Sequence, residues 1–551
     1  MNTLPHPLFR NQWFWLAFFL AGTLAVYWPA REAGFVTDWL GGQERYETGT
    51  FSDALRSFDW VALLPVLFVT NFTLFKVFGT AWLPWFLIFT GLHALNGWQL
   101  YRLAGRLPGI GASGPNGPWI APAVAALFLL SPYAAEPVVW KGCIQYLISL
   151  LFLLTALHQT LHFVEKPALR PALWTNGLFL AAIYLTEWNI IWPAIFVLFL
   201  LVVTYARGDW PQFGRRLGWL VLPQAAMVAG WFGLNKIYLG HWVGHYGSGT
   251  HLKLDIPAML ATEYKYLVKY PGFVRFFEHP VKERVFGWFD RPAVLWGTTA
   301  VLCLLLAAWL VLFKKINARW QWAGFGLAAF FAALLPVANL YFYFLQWSEN
   351  DRYGYYASGF FWLAAVLALA GLPRRVFRPV VVGFLAVSFI FLLKMTRTWG
   401  QAEDIYASLV QDFRWYDRDE VIILASPDNL SGVSILRIIG QPCGFDEALA
   451  LRRREPFKGK MWEVAQFNME TPNDGVKVEK LDTDTSGMTY KVLFPQFGNW
   501  WFRNGIGAGD YETESYIFRT REWHVETTLR EKRPNRAVIY PVGGKWFEAP
   551  Q

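Results

Sequence analysis

Apolar runs of about twenty residues recur between residues 12 and 397, separated by short polar loops. At 1.5 Å per residue, each is long enough to cross a ~30 Å hydrocarbon core as a helix. Eleven such helices are expected, near residues 12–30, 80–103, 119–134, 143–164, 172–187, 188–206, 218–239, 293–313, 322–343, 354–372 and 379–397. A further run, WVALLPVLFVTNFTLFKVFG at 60–79, also has the length. If it crossed, the loops holding Arg102 and Arg106, Lys166 and Arg170, Arg215 and Arg216, Lys314 and Lys315, and Arg374 and Arg375 would all change sides. Left uncrossed, it keeps these loops on the cytoplasmic side with Arg10, as the positive-inside rule favours. Pro65, Asn71 and Lys76 also weaken a lipid-exposed span. The segment is therefore expected to be a juxtamembrane or re-entrant helix on the outer face.

The outer face then carries two long loops, 31–79 and 240–292. Within the second, IPAMLATEYKYLVKYPGFVRFFEH has the pattern of an amphipathic surface helix. From about residue 398 the pattern changes. WYDRDEVIILASPDNLSGVSILRIIG reads as a strand, a turn and a helix, and MTYKVLFP, ESYIFRT, WHVETTL and RAVIYPV read as strands between turn residues. The expectation is an α-helical polytopic membrane domain over 1–397, followed by a soluble mixed α/β domain over 398–551 outside the membrane.

Composition sharpens this picture. Hydrophobic residues make up 55% of the chain and charged residues 16%, against about 25% charged in soluble domains. The net charge of +9 is concentrated in topology-setting loops and does not suggest nucleic acid. Cys143, Cys303 and Cys443 have neither disulfide nor zinc spacing. The first apolar run lacks a small-residue cleavage site and reads as an uncleaved span. NFT at 71–73 and NLS at 429–431 match the glycosylation sequon. His241, His245 and His251 lie in a glycine-rich run with no accompanying carboxylate pattern, so no metal or cofactor is expected.

Charges beside a bilayer are costly and often mark a site. Asp38 follows the first span by a few residues, in FVTDW, where a carboxylate could act as a general base on a lipid-linked substrate; the plainer reading is a solvated loop acid or a helix cap. Asp53 and Asp59 share that loop. Glu136, in SPYAAEPVVWKG, is followed by Lys141, and an interfacial anchor is the alternative there. Glu187 lies between apolar stretches in YLTEWNIIWP and must be protonated, paired or facing a cavity. In SENDRYGYYASGFF, Arg352 offers a fork of donors suited to phosphate, and Tyr353, Tyr355 and Tyr356 offer rings that line a sugar pocket or sit at the interface.

Taken in order, these segments resemble the GT-C superfamily of membrane glycosyltransferases, in particular the TMTC-type and related polyprenyl-phosphate-sugar dependent transferases. GFVTDW is similar to the family's acidic entrance after the first span. GTAWLPWFLIFTGLHALNGWQLYRL resembles its Leu-His-Ala-x-Asn segment through His93 and Asn96. LFLLSPYAAEPVVW resembles the next through Pro132, Glu136 and Trp140, and YLTEWNIIWP and NDRYGYYAS resemble the later Glu and Arg-Tyr elements. The resemblance covers about residues 10–375. It implies transfer of a sugar from a polyprenyl-phosphate donor to a hydroxyl acceptor on the extracytoplasmic face, with inversion. Asp38 would be the base, Arg352 would hold the donor phosphate, and Tyr353, Glu136, Glu187, Asp53, Asp59, His93 and Lys141 would line the substrate cavity. The departures are Trp39 in place of a second acid, Ser131 in place of a histidine and Thr186 in place of a lysine. A lipid-linked-substrate flippase, or an inactive scaffold of the same fold, are the alternatives. The N-terminus is expected in the cytoplasm of a bacterial inner-membrane protein, with the C-terminal domain periplasmic.

Overall fold

The computed structural model describes residues 11–36, 39, 46–56, 63–110, 116–242, 255–338, 348–436, 444–481, 488–494, 500–502, 510–521, 524–530 and 533–550. They group into two compact units. Met1–Trp28, Gly49–Val138 and Cys143–Met395 form the first; Pro29–Thr48, Val139–Gly142 and Thr396–Gln551 form the second.

The principal helices of the first unit are α1 (Gln12–Tyr27), α2 (Pro65–Phe78), α3 (Trp82–Arg106), α4 (Gly117–Leu129), α5 (Ala135–Val139), α6 (Ile144–Glu165), α7 (Leu169–Ile183), α8 (Trp192–Ala206), α9 (Leu222–Leu239), α10 (Ile256–Gly272), α11 (Pro292–Leu312), α12 (Ala318–Ala338) and α13 (Tyr355–Leu369). The long α14 (Arg374–Asp412) begins in this unit, and the division between units falls within its range. Helix starts follow local chemistry. Asn11 caps α1 by accepting from the Trp13 amide, and Asp255 caps α10 by accepting from the Ala258 amide at 3.1 Å. α12 packs along α13, α6 along α7, and α3 against α1, α4 and α6, while α10 lies on α12. Trp85, Phe89, Trp192, Phe196, Trp322 and Phe325 fill the interior. At Gly326 a Cβ would sit 3.0 Å from the Phe360 carbonyl oxygen, so α12 and α13 touch almost backbone to backbone there.

Each of the eleven expected segments is built on a helix, and among the described residues seven meet the length and composition needed to cross a membrane: Gln12–Ala30, Lys141–Glu165, Glu187–Ala206, Trp210–Leu239, Pro292–Leu312, Ala318–Ala338 and Arg374–Asp412. An eighth forms if Gly117–Leu129 and Pro132–Val139, bent by 52°, count as one broken span. Three expected spans fall short for physical reasons. α7 and α13 are 15 residues each, about 22 Å of helix. α3 has 25 residues but carries His93, Asn96, Gln99, Arg102 and Arg106. The disputed 60–79 segment forms α2, 14 residues long, about 21 Å and shorter than a hydrocarbon core. In α11 only 6% of the most apolar window is buried. Leu304 and Val311 are among its exposed side chains. Such surface is costly in water and comfortable in lipid.

One expectation is overturned here. The 256–272 stretch is not a surface helix: Ala261 to Tyr266, Lys269 and Tyr270 are buried. Lys269, Tyr266 and Tyr270 turn toward a polar cluster, while Lys265 meets Asp290 at 2.8 Å and Tyr264 meets Thr299 at 2.7 Å.

The second unit is rich in strands: β1 (Glu420–Ile423), β2 (Ser426–Leu430), β3 (Val433–Ser434), β4 (Lys460–Glu463), β5 (Ala465–Met469), β6 (Lys477–Leu481), β7 (Thr489–Leu493), β8 (Trp500–Phe502), β9 (Tyr511–Glu512), β10 (Tyr516–Thr520), β11 (His524–Leu529), β12 (Arg536–Val542) and β13 (Lys545–Glu548). They form three sheets in the orders β13-β12-β1-β4, β6-β7-β11-β10-β9 and β3-β2-β5-β8. Parallel pairing of β1 with β4 and β12, with a short helix α15 (Phe445–Arg453), gives the mixed character. The helix expected after β1 is replaced over 426–434 by a hairpin. Leu430 pairs with Val433 across Ser431 and Gly432, both at positive φ (48° and 79°), the two-residue turn that suits a strand twist.

Also in this unit, Gly34 sits at φ +105° where a Cβ would lie 2.0 Å from the Val139 carbonyl oxygen. This close pass lets the Lys141 amide donate to the Gly34 carbonyl and Trp140 Nε1 donate to the Val36 carbonyl at 3.0 Å.

Candidate functional site: a buried charge cluster in the first unit

A short 3₁₀ turn, Ser348–Gly354, leads into α13. It delivers two opposite charges to neighbouring positions. Asp351 is 1% exposed. Its carboxylate pairs with Lys269 of α10 and with Arg275, just beyond α10. Arg352 pairs with Glu136 at the start of α5. Its Nη1 donates to one carboxylate oxygen at 2.5 Å and its backbone N–H to the other at 2.8 Å. Nη2 also donates to the Tyr353 hydroxyl at 2.9 Å, and the guanidinium lies 4.4 Å from that ring. Burial works against the Arg352 charge, but Tyr353 and the Glu136 carboxylate outweigh it and raise the guanidinium's pKa.

Tyrosines hold this cluster from several helices. Tyr133 donates to the Lys269 carbonyl at 2.8 Å, and the Lys269 ammonium lies 4.9 Å and 5.0 Å from the Tyr133 and Tyr266 rings. Tyr270 donates to the Gly354 carbonyl at 2.7 Å. A Cβ at Gly354 would meet that hydroxyl at 2.2 Å, so the turn needs glycine to lie against α10. Tyr353 makes an edge contact with Trp188 at 4.4 Å, and Trp188 with Tyr146 at 5.0 Å.

One turn further on, Tyr355 enters α3. His93 Nε2 faces the Leu129 carbonyl at 3.3 Å and must carry the proton, since a carbonyl only accepts. Nδ1 is then bare and accepts from the Tyr355 hydroxyl at 2.8 Å, while Asn96 Nδ2 donates to the same oxygen at 3.2 Å. His93 is thus a buried positioning group for α13, the helix that follows the turn bearing Arg352.

The cluster brings together three of the sequence-derived candidates, Glu136, Arg352 and Tyr353, with His93 behind them. Glu187 is half-buried and adjoins Trp188 in the chain. Lys141 belongs to the second unit, where it is 1% exposed and donates to the Val139 carbonyl at 2.9 Å. Asp53 is exposed and works as a helix cap. It accepts from the Thr50 amide and hydroxyl, each at 2.7 Å, while its own amide donates to the Thr50 hydroxyl oxygen. Those bonds hold its carboxyl below the usual range. Asp38 and Asp59 lie outside the described residues, as do His245 and His251.

From sequence Asp351 reads as a group that could hold the adjacent Arg352; it pairs instead with Lys269 and Arg275, neither of which was singled out from sequence. A signal existed: in EYKYLVKYPGFVR, Lys265 and Lys269, and Tyr266 and Tyr270, repeat at the helical spacing of four.

With all groups ionised, the described cluster has three cations, Lys269, Arg275 and Arg352, against two carboxylates, Glu136 and Asp351. The surplus is one positive charge in surroundings of low dielectric, which favours an anion.

Fold and site together define a helical protein with membrane-spanning character, a strand-rich C-terminal unit and a buried cluster of paired charges. The chain matches no protein-family model, and a search of curated proteins finds no relative.

Proposed function

We propose that the chain is an integral membrane glycosyltransferase of the GT-C type, moving a sugar from a polyprenyl-phosphate donor to a hydroxyl acceptor on the extracytoplasmic face. The observation that carries this reading is convergence. Sequence elements remote in the chain, at His93–Asn96, Glu136, Trp188 and Arg352–Tyr355, adjoin one buried cluster in which Lys269, Arg275 and Arg352 face Asp351 and Glu136.

The chemistry is coherent. In a direct displacement at the anomeric carbon, the bond to the donor phosphate breaks as the bond to the acceptor oxygen forms. Negative charge grows on the departing phosphate, and a fixed cationic field stabilises it. Lys269 and Arg275 share a single carboxylate, so the surplus lies on their side as much as on Arg352, whose fork is engaged by Glu136 and Tyr353. The acceptor hydroxyl loses its proton to a base, assigned to Asp38 on the first outer loop. The exposed apolar helices would keep the donor's polyprenyl chain in lipid.

The test is mass spectrometry of glycans and glycolipids from a strain lacking the protein, complemented with wild type or with Asp38→Asn. The expected result is a sugar missing in the deletion, restored by wild type and not by Asp38→Asn, although the variant is made and inserted. Full rescue by Asp38→Asn would remove the assigned base and favour a scaffold. An unchanged glycan and glycolipid profile in the deletion would remove the transferase itself.

A further inference from the structure

Distant in sequence from the charge cluster, the first unit contains a cavity of about 600 Å³, within the range of small-ligand sites. It lies where the turn after α3 and the starts of α4 and α12 meet the turn between α13 and α14, so its wall includes Gly109, Asn116, Ile120, Asn317, Arg319 and Gly371. Among the described residues of this wall none is acidic.

Two polar atoms in the wall are buried with nothing to bind among the described residues. Asn116 is 2% exposed. Its Nδ2 donates to the Ala370 and Leu372 carbonyls at 3.1 Å and 2.9 Å. Two carbonyls fix which end of the amide is nitrogen, so Oδ1 is the other end, and it has no donor. Arg319 Nε is likewise buried without an acceptor. The guanidinium rests at Gly371, where a Cβ would meet Nη2 at 2.7 Å. The wall therefore offers a cation with an idle donor and, separately, an idle acceptor. Such groups are expensive to bury unless something meets them.

The surroundings indicate depth. Trp119 and Trp320 are both exposed, and each is stacked by an arginine: Arg378 at 4.7 Å and Arg319 at 5.4 Å. Tryptophan with arginine is the pairing of the headgroup layer. Lys314, Lys315, Arg374 and Arg375 are exposed in the adjoining turns and add positive potential. The starts of α4 and α12 also present the positive ends of their helix dipoles.

We propose that this cavity binds a phosphate ester whose head carries a hydrogen-bond donor, such as the ethanolamine or glycerol head of a membrane phospholipid. The phosphate takes the Arg319 guanidinium, and the ammonium or hydroxyl donates to Asn116 Oδ1. A choline head has no N–H or O–H to give and leaves Oδ1 unmet. The proposal stands independently of the transferase reading, since it uses none of the same residues.

The experiment uses the full chain in detergent with short-chain phosphatidylethanolamine, phosphatidylglycerol and phosphatidylcholine, and bound lipid is read by native mass spectrometry. Ethanolamine and glycerol heads are expected to bind several-fold more tightly than choline. Arg319→Gln should weaken them roughly tenfold or more through loss of a charge-assisted bond. Ile120→Phe, which fills the cavity from a buried position, should do the same, while Arg207→Gln, elsewhere on this unit, should not. Competition by soluble glycerol phosphate or phosphoethanolamine would assign the site to the free ester, and its absence to the bilayer lipid. Choline binding equal to the other two, or wild-type affinity in folded Arg319→Gln and Ile120→Phe, would overturn the proposal. The headgroup comparison needs no mutation, so a variant that fails to fold leaves the test intact.

Discussion

The pair between Glu136 and Arg352 makes a quantitative prediction. The two side chains are 8% and 17% exposed, and the carboxylate accepts from both the guanidinium and the backbone amide of the same residue. At an effective dielectric of ~20, unit charges ~4 Å apart attract by about 4 kcal/mol. Removing one member of a buried pair typically costs about 3–5 kcal/mol, because the other charge is stranded. Glu136→Gln keeps the shape and one acceptor oxygen, so the backbone bond survives and the lower end applies, about 3 kcal/mol. Arg352→Gln strands a carboxylate instead, and that group can escape by taking a proton, so its cost should be smaller. The double variant strands nothing. It should therefore be less destabilised than the sum of the singles by at least about 1.5 kcal/mol. Equilibrium unfolding in mixed detergent micelles, followed by tryptophan fluorescence, measures all four corners of the cycle. Additivity within about 0.5 kcal/mol would mean that the charges are solvent-screened, and the claim of a low-dielectric cluster would be wrong.

Three further outcomes are expected. Burial raises the Glu263 pKa to about 8 from 4.5, so in the pH window between these values the folded state holds a proton that the unfolded state has lost, and stability falls as pH rises through that window; Glu263→Gln should flatten the slope in melting curves taken across it and gain up to a few kcal/mol at the alkaline end. Asp53→Ala should speed amide exchange over 51–56 by removing the cap while leaving the proposed sugar transfer intact, and a loss of transfer without a change in exchange would assign Asp53 to the site. Gly326→Val should destabilise the first unit by about 1–3 kcal/mol, since its Cβ meets the Phe360 carbonyl; an unchanged denaturation midpoint would show that α12 can withdraw from α13.

Much of the architecture was legible because it rests on long-range hydropathy and simple turn chemistry. Each apolar run became a helix or a broken one, and MTYKVLFP, ESYIFRT, WHVETTL and RAVIYPV became β7, β10, β11 and β12. The short α7 and α13 misled because an apolar run does not announce where its helix yields to a turn. The hairpin of β2 and β3 was read as a turn and the start of a helix, although Ser431–Gly432 carries the sign of a tight reversal. Glu136, Arg352 and Tyr353 were found because acids and arginine are conspicuous among apolar neighbours. Lys269 and Arg275 were overlooked for the opposite reason: in a loop expected to face water, basic residues look ordinary. Only packing shows that α10 turns them inward.

The exposure of α11 has a consequence for handling the protein. Only Leu295, in its first turn, is buried, within a small cluster of Ala261, Tyr264 and Phe289, and Tyr264 bonds Thr299 at 2.7 Å. Further along, Trp309 Nε1 donates to the Trp320 carbonyl of α12 at 3.1 Å, and most of the remaining surface depends on its solvent for company. A poor detergent that wets α11 badly would loosen it first, and the disturbance would pass through its contacts with α10 and α12, the first of which carries Lys269, the partner of Asp351. Unfolding on extraction would then begin at this exposed apolar rim and reach the charged interior by leverage.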